Sequence, residues 1–330
     1  MTVAFPNPRA LHVAALPFPT YQGTQAAIAA MLEAASRDGQ RAALFTYATA
    51  GYAYRPEYPL HRAGDLPKLR SLRSGPSLRK LILDARMLFE LHALSRRLRP
   101  NVVVAHHVEA ASLALTLRDT RVVFFAHTDL AAELPVYGHP ALEPFLRTAG
   151  RTFDRTLVRR AAAVATISET LRARLSQLRS DVHFVPIPWT VPEPIRASER
   201  VESRLALGIT QTDKVALYAG NLDAYQGVEV IPPALHALRL RGKPVRLLLA
   251  TASPSARFDR LCRSLGVSVQ CVALGDEAVR RRVHAAADLA IVPRLSPGGL
   301  PIKLLDALAR GLPCAVVPTA CAGLPLDGVV

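Results

Sequence analysis

The side chains most able to do chemistry in this chain collect at the ends of apolar runs. His106 and His107 close "NVVVAHH", and His127 closes "RVVFFAH", with Asp129 two residues further on. Imidazole and carboxylate groups in such places are candidates for proton transfer or for binding hydroxyl groups. A second set lies in "SPGGLPIKLLDALARGLPCAVVP", Ser296 to Pro318, which reads as a glycine turn, a short helix and a buried strand. Pro301 suits a first helical turn. Gly298 and Gly299 allow a ligand to approach the backbone with no Cβ in the way. A first turn favours acids, because its free N–H groups are partly positive, yet Lys303 stands there. That lysine opposes the helix dipole unless an anion shares the site. Asp306 follows three residues later, so the two together suit a phosphate and a pair of sugar hydroxyls. The competing reading is an ordinary surface Lys–Asp pair, although lysine before acid is the weaker helical order.

These residues need a scaffold, and the hydrophobic pattern supplies one. Strand-length apolar runs with almost no polar alternation occur at 11–16, 41–47, 101–107, 121–127, 162–168 and 181–187. Strands covered by helices on both faces read this way. Helical stretches such as "GTQAAIAAMLEAASRDG" lie between them. The proline-rich segment 186–200 interrupts the alternation, which restarts with runs at 214–220, 245–251, 268–274, 287–293 and 313–318. Two successive βα arrays predict an α/β protein of two doubly wound, Rossmann-like domains: residues 1–187, a linker at 188–200, and residues 201–330. Ligands of such sheets bind beyond the carboxyl ends of the strands, where the loop "PFPTYQGTQ", the histidines, Asp129 and "GNLDAYQG" all fall. Helix caps use similar residues, and Ser168-Glu169 reads as one.

The totals narrow the partners. The chain has 330 residues, half of them hydrophobic, and a net charge of +15 from 41 basic and 26 acidic residues. That excess favours anionic partners. Nucleic acid is disfavoured by the 6% aromatic content and by the lack of any reading motif. No GxGxxG follows the first strand, no P-loop is present, and no HExxH, DxD or GxSxG occurs. No metal site is therefore predicted. The four cysteines, Cys262, Cys271, Cys314 and Cys321, lack metal-ligand spacing and read as buried, reduced thiols of a cytoplasmic protein. The first residues lack the pattern of a signal peptide, and no apolar run has transmembrane length. Residues 62–99 are strongly basic, with Leu78, Leu81, Ile82, Leu88 and Leu91 at helical spacing. Two readings stay open there: a packed helix with a solvated basic face, or a peripheral contact with an anionic membrane at its inner face.

"GGLPIKLLDALARGLPCAVV" resembles the nucleotide-sugar motif of retaining glycosyltransferases of family four, which have the GT-B fold. "YAGNLDAYQGVEVIPPALHAL", "LPFPTYQGTQAAIAAMLEAASRDGQRAALFT", "LRPNVVVAHH" and "VVFFAHTDL" are similar to further parts of that family. The resemblance implies two domains facing each other across a cleft. It also implies metal-independent transfer of a hexose or similar sugar from a nucleoside diphosphate sugar to a hydroxyl acceptor, with no cofactor besides that substrate. A glycan or lipid-linked acceptor of the cell envelope would suit the family. By position, Asp306 stands where an acid takes the donor ribose. Lys303, Gly298, Gly299 and Leu300 lie near the phosphates and sugar. His127 stands where a histidine contacts the donor sugar, and Gly23 belongs to the loop facing the diphosphate. Lys303 and His127 are the catalytic candidates, and His106, His107 and Asp129 the acceptor-side candidates.

The chain departs from the family where charge matters. Arginine and lysine usually follow the first strand of the second domain and touch the diphosphate; Asn221 and Gln226 replace them here, and Gly298 stands where an acid is common. Electrostatic stabilisation of a leaving group is often the largest catalytic contribution. Either Lys303, the helix dipole or another arginine compensates, or the chain is a weak or inactive relative that binds a nucleotide or an anionic surface. Family members also continue past the equivalent of Val330, so the resemblance implies a truncated C-terminal end.

Overall fold

The computed structural model describes residues 8–20, 22–48, 54–65, 75, 77–252, 254–295, 300–321 and 324. Two compact units divide between Trp189 and Thr190.

In the first unit, β1 (Ala10–Ala14), β2 (Ala42–Thr46), β3 (Leu60–Arg62), β4 (Val102–His106), β5 (Arg121–Ala126), β6 (Ala163–Thr166) and β7 (Val182–Phe184) form one sheet in the order β3-β2-β1-β4-β5-β6-β7. Each pairing among them is parallel, so all the strands end at one edge. The register aligns Ala14 with His106 and His106 with Phe125. The connecting helices are α1 (Gly23–Arg37), α2 (Leu78–Leu98), α3 (His107–Ala114), α4 (Leu130–Glu133), α5 (Glu143–Arg160) and α6 (Glu169–Ser176). Helix α3 touches both α2 and α5. Leu83, Met87, Leu91, Leu94 and Leu98 of α2 and Leu157 and Val158 of α5 enter the same core as Val103, Ala105 and Phe124 of the sheet. Ile28 and Leu32 of α1 belong to a separate cluster with Phe18, Leu44 and Tyr58.

The apolar residues spaced along α2 divide between two environments. Leu91 is buried, but Leu78, Leu81 and Ile82 are 80%, 62% and 55% exposed, and Leu83 and Met87 take the core positions. The apolar residues of this helix occupy two faces, and spacing alone does not tell them apart. Ser77 caps α2, its Oγ accepting from Lys80 N at 3.2 Å, and Arg96 and Arg97 lie in the last turn, where the dipole favours cations. Ser168 caps α6 by accepting from Leu171 N. The short edge strand β3, "LHR", lacks the apolar run that marks the other strands.

The second unit contains α7 (Ala197–Ala206), β8 (Val215–Ala219), α8 (Ile231–Leu240), β9 (Arg246–Thr251), α9 (Ala256–Ser264), β10 (Val269–Ala273), α10 (Glu277–Ala286), β11 (Leu289–Val292), α11 (Ile302–Ala309), β12 (Cys314–Val316) and α12 (Pro318–Cys321). Its sheet is parallel in the order β10-β9-β8-β11-β12. The linker expected at 188–200 is shorter than proposed, because residues 197–200 begin α7. Proline density ends at Pro194, and Glu199 accepts from Arg196 N at 2.8 Å to start the helix. The prolines themselves are held by the second unit: Arg281 donates to Glu193 O and Pro194 O, and Ile195 N to Arg310 O. Arg204 of α7 is fully buried and donates to Ala286 O, Thr210 O and Asp213 O and, at 2.9 Å, to Asp288 Oδ2. The four cysteines are free, and Cys271 is exposed rather than buried, because β10 is an edge strand. No helix of the described residues is long and apolar enough to cross a membrane.

Candidate functional site

In the first unit, three strands bring imidazoles together. His12 Nδ1 lies 2.9 Å from His106 Nε2, and His106 Nδ1 lies 2.9 Å from His127 Nε2. His106 and His127 are buried. Phe125 packs on the His106 and His127 rings at centroid distances of 5.4 and 5.1 Å, and His107 stacks on His127 at 4.9 Å with a 22° tilt. Burial pushes the His12 pKa down to about 4 and holds His106 and His127 well below the ordinary histidine range; neighbouring imidazoles add to the effect on the last two. The rings are thus neutral near pH 7. His127 Nδ1 is buried and has no hydrogen-bond partner.

His107 begins α3 with a φ of +69°, which a non-glycine residue adopts at a cost. Its Nε2 meets Thr24 Oγ1 at 3.0 Å, in the first turn of α1. Gly23 opens α1, behind Gln22 at its cap, and no acid stands in that turn. Burial lowers the His107 pKa, while the nearby Glu109 and Glu133 oppose the shift. Lys80 donates to Glu109 at 2.8 Å; burial pushes Glu109 up, but Lys80 and His107 pull it to a net value below normal. Asp129 is also buried, and its Oδ2 accepts from Arg174 Nε at 2.6 Å. His106, His107 and His127 therefore share one cluster, while Asp129 is tied to α6.

In the second unit, Pro301 caps α11 and Lys303 turns inward. Its Nζ donates to Tyr218 OH at 2.9 Å and lies 4.7 Å from the centre of that ring. Tyr218, at the end of β8, donates in turn to Asn221 O. Lys303 has no carboxylate partner among the described residues. Burial, and then the positive charge of Arg294, hold its pKa well below the ordinary lysine range, with Asp223 opposing. Gly220 makes the fit possible: its φ is +147°, and an added Cβ would lie 2.4 Å from Lys303 Cε. Asn221 Nδ2 donates to Asp223 at 3.0 Å and Tyr225 OH at 3.3 Å, while its Oδ1 is buried without a partner. Gln226 is buried in the turn that follows. The Arg294 guanidinium lies 5.9 Å from the centre of the Tyr225 ring.

Asp306 does not bond Lys303, so the surface pair is absent. Its Oδ1 accepts from Arg310 Nε at 3.1 Å, and its Oδ2 lies 3.6 Å from His284 Nε2. Arg310 is buried and also donates to Glu277 at 2.6 Å. Leu300 directly precedes Pro301 and is partly buried. Gly298 and Gly299 lie outside the described residues. Among the described residues, no group of three or more His, Cys, Asp or Glu is arranged to hold a metal ion. His12, Tyr218, Arg294 and Arg310 were not anticipated. His12 carried a signal, since a lone polar residue in a strand buried on both faces must find a partner.

Residues 22–188 match the family model described as glycosyl transferase 4-like domain, and residues 213–329 match the one described as glycosyl transferases group 1. The chain belongs to this family of GT-B glycosyltransferases. It is 26% identical over 132 residues to the uncharacterised glycosyltransferase MJ1607 of Methanocaldococcus jannaschii, covering 39% of this chain and 33% of that protein. It is 27% identical over 248 residues to the D-inositol 3-phosphate glycosyltransferase of Mycobacterium marinum, covering 69% of this chain and 51% of that protein. The matches thus span about a third and about half of the lengths of these curated relatives. Among solved structures, sucrose-phosphate synthase of Thermosynechococcus elongatus matches with a TM-score of 0.75 at 16% identity, over 93% of this chain and 81% of that one.

Proposed function

We propose that the chain moves a hexose or similar sugar from a nucleoside diphosphate donor to a hydroxyl acceptor, with retention and without a metal ion. The observation that carries this reading is Lys303: a cation in the first turn of α11, packed on Tyr218 and lacking a carboxylate partner among the described residues. A phosphate supplies the missing charge, and the α11 N–H groups favour an anion there. Asp306, oriented by Arg310, takes the ribose hydroxyls. Asn221 and Gln226 bring no cation, and Arg294 brings one from the end of β11. In the first unit, the histidine cluster takes sugar hydroxyls, because its imidazoles are neutral and one nitrogen is unpaired.

Thermal-shift screening against UDP, GDP, ADP and their sugars tests the reading. A ligand at 100 times its Kd stabilises the protein by about 2.7 kcal/mol. Failure of every nucleotide to shift the transition would remove the donor site. Once a donor is found, turnover is expected to survive EDTA; its loss, with rescue by Mg²⁺ or Mn²⁺, would overturn metal independence.

The alternative is a relative that binds a nucleotide but transfers weakly, and the tethered amide of Asn221 favours it. Nucleotide binding without turnover of any donor would support it. We further propose a peripheral contact with an anionic membrane. Leu78, Leu81, Ile82 and Phe89 of α2 are exposed beside Arg79 and Arg86, and Phe145 and Phe153 of α5 are exposed beside Arg151, Arg155 and Arg159. Sedimentation with acidic liposomes is expected at low salt and is expected to fail near 1 M salt, where the Debye length is about 3 Å. No binding at low salt would remove the contact.

A further inference from the structure

The chain of imidazoles has a direction, and the direction fixes what His127 offers a ligand. Each N···N contact, His12 with His106 and His106 with His127, needs one N–H and one lone pair. A neutral His106 has one of each. It therefore either accepts from His12 and donates to His127, or does the reverse. The first arrangement leaves a hydrogen on His127 Nδ1, buried and without an acceptor. The second leaves a lone pair there, and puts the terminal hydrogen on Nε2 of His12, which retains some exposed surface. An orphaned buried donor is rarer than an under-used acceptor, so the second arrangement prevails. Stacking by His107 and packing by Phe125 hold the His127 ring in place.

We infer that His12 and His106 are positioning residues that hold His127 as its Nε2–H tautomer, leaving Nδ1 as a buried acceptor for a ligand hydroxyl. The naming of that ligand as a sugar rests on the proposed transfer activity; the tautomer does not. Neither outer histidine touches the ligand. They act through His127 alone, across three adjacent strands.

Nitrogen NMR of the full chain labelled at histidine reads the tautomer of His127 directly. In the wild type, Nδ1 is expected to be unprotonated and Nε2 protonated. His12→Phe keeps a ring against His106 but removes its acceptor. His106 then has nothing to fix its hydrogen on Nε2, and either arrangement of the His106–His127 pair leaves one unpaired N–H, so His127 should become a mixture of its two tautomers. A merely structural role for His12 predicts no change of tautomer at His127. A protonated Nδ1 in the wild type overturns the inference, even if His12→Phe fails to fold. So does an unchanged His127 in folded His12→Phe.

Discussion

Gly220 and Lys303 exclude a methyl group between them: a Cβ at position 220 would lie 2.4 Å from Lys303 Cε and 2.7 Å from Nζ. Gly220→Ala should therefore push the ammonium off Tyr218, and its positive φ adds backbone strain. If that ammonium meets a phosphate, affinity for the bound nucleoside diphosphate falls about tenfold to a hundredfold, the value of one charged hydrogen bond. Calorimetric titration reads the change. Equal affinity in the folded variant would place Lys303 off the ligand.

Lys303 also makes a proton-linked prediction. Its pKa is held well below the ordinary lysine range in the free protein. A bound diphosphate raises it again, so binding takes up a proton at pH values between the free and the bound pKa, and the titration is run across a pH series to find that window. The binding enthalpy should then vary with the ionisation enthalpy of the buffer, and should stop varying in Lys303→Met. A buffer-independent enthalpy in the wild type at every pH of the series would contradict this.

Asp306→Ala should weaken nucleotide binding by about 1.5–3 kcal/mol. It should also cost stability, because Arg310 is buried and loses one of its two carboxylates. Asp306→Glu keeps the charge and should restore both. An alanine variant that is less stable but binds the nucleotide normally would reduce Asp306 to a support for Arg310.

The histidine cluster should make the fold acid-sensitive. His12 titrates at about 4 in the folded chain against 6.5 for a free side chain, so the unfolded chain binds more protons between these values. Stability is complete above pH 6.5 and falls as the pH drops towards 4, by about 3 kcal/mol at most from this residue. Asp154 opposes the trend. Burial raises it to about 6, so its protonation below that value stabilises the fold. Urea midpoints across this range should fall more steeply in the wild type than in His12→Gln. Parallel curves would show that burial of the ring carries no such linkage.

Arg204→Met should destabilise the second unit by about 3–5 kcal/mol, because Asp288 loses a buried partner and four carbonyl oxygens, those of Ala286, Thr210, Gln211 and Asp213, lose a donor. Chemical denaturation measures it. A loss below about 1 kcal/mol would mean that Arg200, also paired with Asp288, suffices.

The α/β scaffold was legible because strands such as "AALFT" and "VALYA" are buried on both faces and cannot be taken for amphipathic helices. Lys303 stood out in the sequence because its charge sits at the wrong end of a helix. Its true neighbours did not, because Tyr218 and Gly220 lie more than 80 residues away and join it only through the order of β8 and β11. His12 went unread for the same reason: register between β1 and β4, not spacing, brings it to His106. Which apolar residues of α2 enter the core was not legible, since Leu81 and Leu83 are equally apolar and only packing separates them.

The left-handed backbone at His107 has a practical consequence for engineering. Such a posture costs about 1–3 kcal/mol and suits glycine better than histidine. Glycine is therefore the substitution that a stability-driven redesign of this position would consider first. The variant would relieve that strain while losing the ring that stacks on His127 and meets Thr24, so its melting temperature alone would not reveal the loss. Stability screens of this chain should carry a ligand-binding readout, because a variant with unchanged melting can still have a dismantled histidine cluster.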